Sequence, residues 1–579
     1  MQINKGPYQL LILVILMGLA SAQVRAQSPF DAEQREKAKQ IREQIQVFTD
    51  RSVYAVDETI HFRADHRVSG PIGENPWSSV LYVELIASTG EVLAQGKYQI
   101  SWGKAEGAIS IPSASLTGNY YLKCYTRWMR NQGPDSFSYT PLKIINPYRS
   151  EVIGHTDAES TESGLQKVSY KEGMLELSTS SPSVQGGQEI VFQVNGASNV
   201  FIEQLNYCVT VVPTGSINLS EGQYINAPPS SNDSFRVSFL PDLGNGVSIS
   251  GTVVGPDKLP VPYTTLHFSL LGENPDYFAT MSDERGRFVI TAPAGGDDKH
   301  EFFVTPEQEN GSGLEVRIDQ EYDSQPVNLP VEPFLLSDDE EELARRLALN
   351  IQLSKAYKSG DLSPDTTVSE VYSEGSRIPF YGTRVNRLLI DDYVRLPNLE
   401  EIFINLLPEV QFYKKQGKNR IRILSDNNSI GVYKPLIMID HISVFAHEAI
   451  LALSPEKIER IDLIDDIYLK GNVAFGGVLA IYSRNGDMAG IDLPSGSYFF
   501  DYQSFHPRLY SVKAPSVQDG RIPDTRNTFF WAGNLILEQG KQMEIPFQAP
   551  GTSGSYVVLV RGVSPSGEVY SATAKFSVE

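Results

Sequence analysis

The sequence predicts a mainly β, multidomain protein: tandem β-sandwiches, an α+β unit and a C-terminal β-sandwich segment. Three observations carry this expectation. The chain has 579 residues, and at roughly 100–200 residues per domain that is three to five domains. Apolar and polar residues alternate at period two in many short runs, bounded by turn formers among the 46 Gly and 35 Pro. Hydrophobic residues make up 41% and aromatics 10%, enough for packed cores and too much for a disordered chain. The formal charge of −21 argues against a broad nucleic-acid-binding surface. Two cysteines exclude a disulfide-rich scaffold and a four-cysteine zinc site.

Residues 1–26 read as a secretory signal. Lys5 supplies the positive start, Leu10 to Ala20 is an uncharged run, and small residues follow at Ala20-Ser21-Ala22 and Val24-Arg25-Ala26. The run is too short to span a bilayer. Cleavage is expected after Ala26, with Ala22 as the alternative; an uncleaved anchor is the competing reading. No cysteine follows either cut, so no lipoprotein anchor is expected. Losing Lys5 and Arg25 from a chain of −21 leaves −23. The mature chain is expected to be exported and soluble. Export leaves Cys124 and Cys208 two options: one disulfide, or two separate buried thiols.

Residues 27–44 follow as an N-terminal helix. Ser28-Pro29 and Asp31 give a cap, an N1 proline and an acidic first turn, and 30–45 is a charged helical run. From Ile45 the period is two. Thr59 to Ala64, Val80 to Leu85, Gly107 to Pro112 and Gly118 to Lys123 are strands of a sandwich over 45–148. The polar stretch 149–166 opens the next region, 149–245, as a linker to a second sandwich. There Gly187 to Val194 echoes Asp57 to Ala64, a weak sign of duplication. In 246–330, Asp283 to Gly286 is a hairpin turn in which Gly286 can take positive φ. In 331–384, Ser337-Asp338-Asp339-Glu340 is a capping box, and Leu343, Leu347 and Ile351 form one stripe. The helix is acidic at its start and basic at its end, as its dipole favours.

Several of these runs resemble known families. Thr49-Asp50-Arg51-Ser52-Val53-Tyr54, then Asp57 to Arg63, then Gly118-Asn119-Tyr120-Tyr121-Leu122, resemble the second macroglobulin-type domain of the α2-macroglobulin family. Val56-Asp57 stands where that family has Pro-Gly. Ile249 to Val253, Pro260 to Leu266 and Thr280 to Phe288 resemble the carboxypeptidase regulatory-like domain, a small transthyretin-like sandwich that implies no peptidase. In 385–497, Leu436 to Asp440, Ile458 to Leu463 and Gly477 to Tyr482 resemble the plug domain of TonB-dependent receptors, with His441 in place of the usual Gly. Leu389 to Tyr393 and Leu399 to Phe403 resemble what precedes such plugs in Bacteroidetes-type proteins. In 498–579, Arg526-Asn527-Thr528-Phe529-Phe530-Trp531 resembles a macroglobulin strand region. About 95 residues follow Asn485, too few for a transmembrane barrel. The expectation is a plug-like domain without a barrel on its own chain.

Catalytic and metal motifs are sparse. His447-Glu448 begins a zinc-protease motif, but Leu451 stands where the second histidine belongs. His441 and His447 could share a metal only if folding joined them. His61 and His66 read as packing residues. No G-x-S-x-G, P-loop or G-x-G-x-x-G is present, and neither cysteine lies in a thioester C-G-E-Q. Acidic runs at Asp338 to Glu342 and Asp462 to Asp466 lack EF-hand spacing. No enzyme activity, cofactor or metal is expected. The aromatic segment Tyr498, Phe499, Tyr502, Phe505 and Tyr510 reads as a partner-contact patch, against strand core as the plainer account.

The expected function is protein–protein contact on the periplasmic side of the outer membrane. By analogy with receptor plugs, the α+β domain would occupy or cap a β-barrel or secretion translocon supplied by another chain. The alternatives are a scaffold or adhesin binding glycan or envelope polymer, and a non-covalent protease inhibitor of macroglobulin type.

Overall fold

The computed structural model describes residues 36–70, 77–153, 166–168, 175–196, 204–218, 224–225, 237–244, 246–272, 275–293, 299–308, 313–330, 332–357, 379–382, 385–426, 428–503, 505–506, 511–512, 524–538, 541–564 and 567–579. The signal segment lies outside them. Among the described residues no helix is long and apolar enough to cross a membrane. The fold is mainly β and multidomain.

The first sandwich contains β1 (Arg42–Thr49), β2 (Val53–Ala55), β3 (Thr59–Ser69), β4 (Val80–Ala87), β5 (Val92–Gln99), β6 (Lys104–Ser110), β7 (Gly118–Tyr125) and β8 (Ser138–Ile145). Next come β9 (Gln166–Lys167), β10 (Leu175–Thr179), β11 (Ser183–Val184), β12 (Glu189–Gly196), β13 (Gln204–Pro213) and β14 (Tyr224–Ile225). The small sandwich has β15 (Gly246–Val254), β16 (Thr265–Leu271), β17 (Asp276–Met281), β18 (Arg287–Pro293), β19 (Lys299–Pro306) and β20 (Glu315–Ile318), and helix α1 (Asp338–Tyr357) follows it. The α+β unit has β21 (Asn386–Leu389), α2 (Leu399–Leu406), β22 (Val410–Lys415), β23 (Lys418–Ile423), β24 (Leu436–Ile439), β25 (Ile442–Ser443), α3 (His447–Leu451), β26 (Ile458–Lys470) and β27 (Val473–Ser483). The chain ends with β28 (Tyr498–Gln503), β29 (Ser511–Val512), β30 (Phe530–Glu538), β31 (Gln542–Gln548), β32 (Gly554–Val563) and β33 (Val569–Val578).

In the first sandwich, sheet β1-β3-β6 faces sheet β5-β4-β7-β8-β14-β9, with β2 also on β8, so β9 and β14 from 149–245 extend the first sandwich rather than the second. Ile45, Val47, Phe62 and Ile109 meet Leu81, Val83, Tyr98 and Leu122 in one core, with Phe62 edge-on to Tyr98 at 4.8 Å. β1 corrects the helix read through residue 45: Ile45 and Val47 alternate inward from Arg42 onward, and pairing with β3 outweighs the helical propensity of the charged run. Asp57 takes φ 66. It fills the left-handed turn position where the resembling family has glycine. Cys124 and Cys208 are both free and buried, so the disulfide alternative is set aside.

The second sandwich is discontinuous. Sheet β10-β12-β31 faces sheet β11-β33-β32-β13-β30-β29. Strands from 149–245 and from 498–579, read from sequence as separate segments, pair with each other: Ile190 opposite Phe547, and Val209 opposite Val560. Ile190, Phe192 and Val209 share a core with Phe547, Tyr556 and Phe576. The intervening chain is an insertion between these halves.

The small sandwich sets β18-β15-β20 against β17-β16-β19-β28. Its hairpin turn forms as read: Asp283 Oδ1 accepts from the backbone N–H of Arg285 at 2.8 Å and of Arg287 at 2.9 Å, and Gly286 has φ 72. The capping box of α1 forms too. Glu340 Oε2 accepts from Ser337 N at 2.8 Å, and Ser337 Oγ accepts from Glu340 N at 3.4 Å. Leu343, Leu347 and Ile351 bury against Val53 and Ala55. Arg346 donates to the Tyr556 hydroxyl at 3.0 Å, so α1 bridges the first and second sandwiches.

Candidate contact site

The α+β unit is a sheet in the order β21-β26-β27-β24-β25. Alternation divides its side chains between two faces. Ile437, Ile439, Ile461, Leu479 and Ile481 pack on α2, α3 and the β22–β23 hairpin. Leu436, Met438, Val478 and Ala480 pack with Tyr277 and Ala279 of β17 and with Tyr381. The second face is therefore covered by the small sandwich. Lys470 pairs with Asp276 at 3.1 Å, and Ser269 Oγ donates to the His441 carbonyl at 2.7 Å. Asp440 and His441 both have positive φ, 46 and 70. They form the two-residue connection of β24 to β25, and the Asp440 carboxylate accepts from the backbone N–H groups of Ser483 and Met488, each at 2.8 Å.

The hairpin β22–β23 carries five cations and no acid in Val410–Ile423, on a chain of net −21. Its turn is Gln416-Gly417, both at positive φ, 53 and 79, the type I′ geometry that fits strand twist. The pairing of Lys415 with Lys418 then sorts the residues. Val410, Ile421 and Ile423 enter the core. Gln411, Tyr413, Lys415, Lys418, Arg420 and Arg422 occupy the other face. The backbone groups of Phe412, Lys414, Asn419 and Ile421 point out along the two edges. On the β23 edge these donors are taken: Asn419 N donates to Glu448 Oε1 at 3.1 Å and Ile421 N to His447 Nδ1 at 2.9 Å. β22 pairs only with β23 among the described residues.

The basic face opens on a groove of about 460 Å3, whose other wall includes Val432, Tyr433 and Lys434. Val432 is 79% exposed, and Tyr413 and Tyr433 are exposed beside it. Elsewhere on the unit Tyr393, Val394 and Ile404 are also exposed. At the groove floor His267 Nδ1 lies 2.7 Å from the Tyr277 hydroxyl and 3.1 Å from Ser443 Oγ. Its Nε2 is 4.0 Å from Glu307. Burial pushes the imidazole down to about 4, against the pull of Glu307. The residue types are those of a nucleophile, a base and an acid, but the geometry is not. Ser443 is 1% exposed, and Glu307 is taken by Lys434 at 2.6 Å. The cluster joins the small sandwich to the unit.

A cleft of about 980 Å3 lies where Arg127, Arg130 and Phe239 meet the small sandwich. Its arginines serve the framework: Arg127 donates to the Ser248 carbonyl at 2.7 Å, Arg130 to the Glu321 carbonyl at 3.0 Å, and Arg287 holds Asp319 at 2.6 Å. Among the described residues no group of three His, Cys, Asp or Glu side chains is placed to hold a metal. Leu451 of the truncated zinc motif sits in the core.

The aromatic segment read from sequence divides. β28 is an edge strand paired to β19. Tyr498 and Phe499 are exposed at 49% and 41%, with Phe499 against Phe303 at 4.6 Å. Tyr502 and Phe505 are buried and unavailable to a partner. Lys97 lies 4.6 Å over the Tyr502 ring, and His506 N donates to the Lys97 carbonyl at 2.8 Å. This segment pins the small sandwich to β5 of the first. Tyr510 lies outside the described residues. The basic hairpin went unread, although its signal is in the sequence: cations at alternate positions around Gln416-Gly417, without an acid.

No protein-family model and no curated protein matches the chain. Among solved structures it is similar to Salmonella α-2-macroglobulin reacted with methylamine, at 10% identity over 93% of this chain and 39% of that one, TM-score 0.22. It is also similar to native Escherichia coli α-2-macroglobulin, at 10% identity over 93% and 40%, TM-score 0.23. Dimeric latent PorU from Porphyromonas gingivalis aligns at 10% identity over 48% and 34%, TM-score 0.15. The chain spans about two fifths of the length of the macroglobulins it aligns with. TM-scores this low do not establish a common arrangement of domains.

Proposed function

We propose that this is an exported, non-enzymatic contact protein on the periplasmic side of the outer membrane. Its α+β unit caps a β-barrel or secretion translocon supplied by another chain. The observation that supports this reading is the concentration of positive charge on the β22–β23 face, with the exposed Tyr413 on it and Tyr433 beside it. An acidic chain is repelled by acidic surfaces, so a local basic face orients docking. Capping is favoured over filling because the small sandwich covers the second face of the unit's sheet, and a pore admitting the unit would have to admit that sandwich as well.

The test is co-purification from detergent-solubilised outer membrane, comparing the full chain with one lacking residues 385–485. A stoichiometric β-barrel partner lost on deletion is expected. Equal recovery of partners by both proteins would overturn the assignment of the contact to this unit.

A further inference from the structure

The partner segment that the basic groove takes follows from two features of the hairpin. One is the outer edge of β22. A two-residue I′ hairpin makes the pair flanking the turn hydrogen-bonded, so Lys415 and Lys418 exchange bonds, and Phe412 and Lys414 turn their N–H and C=O groups outward. β22 has no second strand neighbour among the described residues. An exposed edge of this kind pairs with an extended chain.

The other feature is charge at the matching spacing. Tyr413 and Lys415 on β22, and Arg420 and Arg422 on β23, line the groove. Side chains of a strand added to β22 would recur on this face at every second residue. Among the groove's lining residues the four cations Lys415, Arg420, Arg422 and Lys434 stand against the single acid Glu307, which Lys434 already holds. Tyr413, Val432 and Tyr433 add exposed apolar surface between the charges.

We infer that the groove binds an extended acidic peptide segment of the partner, which adds as a third strand to the β22 edge and sets carboxylates at alternate positions against Lys415, Arg420 and Arg422. The inference rests on the contact reading above and names the chemistry of the contact. The charge on β22–β23 selects the partner segment, and the backbone edge fixes its conformation and register.

The test uses the full mature chain and a fluorescein-labelled peptide of alternating Glu and Val, followed by fluorescence anisotropy. The expected result is saturable binding that weakens as salt rises. It should weaken at least about tenfold in the double variant Lys415→Glu, Arg422→Glu, which removes two charge-assisted contacts. Circular dichroism shows whether that variant keeps its fold. Amide exchange at Phe412 and Lys414 should slow when the peptide binds wild-type protein, a readout independent of any variant. Equal affinity for a peptide with Lys in place of Glu would overturn the inference, as would unchanged exchange at these two amides. Capture of a barrel without peptide binding would remove this inference and leave the contact reading standing. Peptide binding without a barrel partner would do the reverse.

Discussion

Asp50, in the turn after β1, accepts a hydrogen bond from the hydroxyl of Thr528, just ahead of β30. The same buried carboxylate accepts from the Tyr54 hydroxyl at 2.7 Å and from His61 N at 2.9 Å. One side chain thereby ties the first sandwich to the C-terminal half of the second, across the inserted small sandwich and α+β unit. Arg63, in the same sandwich, donates to the Gly533 carbonyl at 2.8 Å.

Removing the Thr528 donor therefore loosens the joint. Thr528→Val keeps the shape and deletes one hydrogen bond to a buried charge, worth about 2 kcal/mol. Urea unfolding should show that loss. An unchanged midpoint would show that the carboxylate's remaining donors hold the joint alone.

His267 gives the fold an acid-sensitive point. Burial lowers its pKa from 6.5 to about 4, with Glu307 opposing and Lys434 reinforcing the shift. Tyr277 and Ser443 face its other nitrogen. The unfolded chain takes up this proton first, so the contribution is complete above pH 6.5 and is lost as pH falls toward 4. At about 1.4 kcal/mol per pKa unit, the loss approaches roughly 3 kcal/mol. Comparing denaturation of wild type and His267→Gln at pH 7 and pH 4.5 isolates it. The variant's stability should fall less over that interval.

The thiols offer a simple chemical check. Cys124 and Cys208 are buried in separate cores, and burial raises both pKa values. Native protein should resist alkylation by a maleimide, and two labels per chain should appear on denaturation without reductant. A single mass consistent with a disulfide would contradict the structure.

The turn of the basic hairpin is improvable. Gln416 sits at φ 53, where Asn is tolerated far better. Gln416→Asn should slow amide exchange across β22–β23 by about twofold to fivefold, corresponding to roughly 0.5–1 kcal/mol. Faster exchange would mean that the turn is not type I′.

Features with local causes were legible in the sequence. The capping box at Ser337, the stripe Leu343, Leu347 and Ile351, and the Asp283–Gly286 turn each depend on neighbours a few residues apart. Partner choice between distant strands was not, since the alternation in Glu189–Gly196 is satisfied by any apolar strand and does not name Gln542–Gln548. Aromatic density at 498–505 did not reveal which rings face inward, because register decides that, and a shift of one residue reverses it. The basic hairpin was missed because cations at alternate positions gain a common face only when strand pairing places them on it.

The central claim is that the α+β unit makes the contact, and site-specific photocrosslinking in intact cells tests it most directly. A photoreactive residue is placed at Tyr413, on the groove wall, and as a control at Trp102, which is 98% exposed on the first sandwich. The account predicts a crosslink from position 413 to an outer-membrane β-barrel protein, and none from position 102. Crosslinks from 102 alone, or from neither position to any barrel, would contradict it.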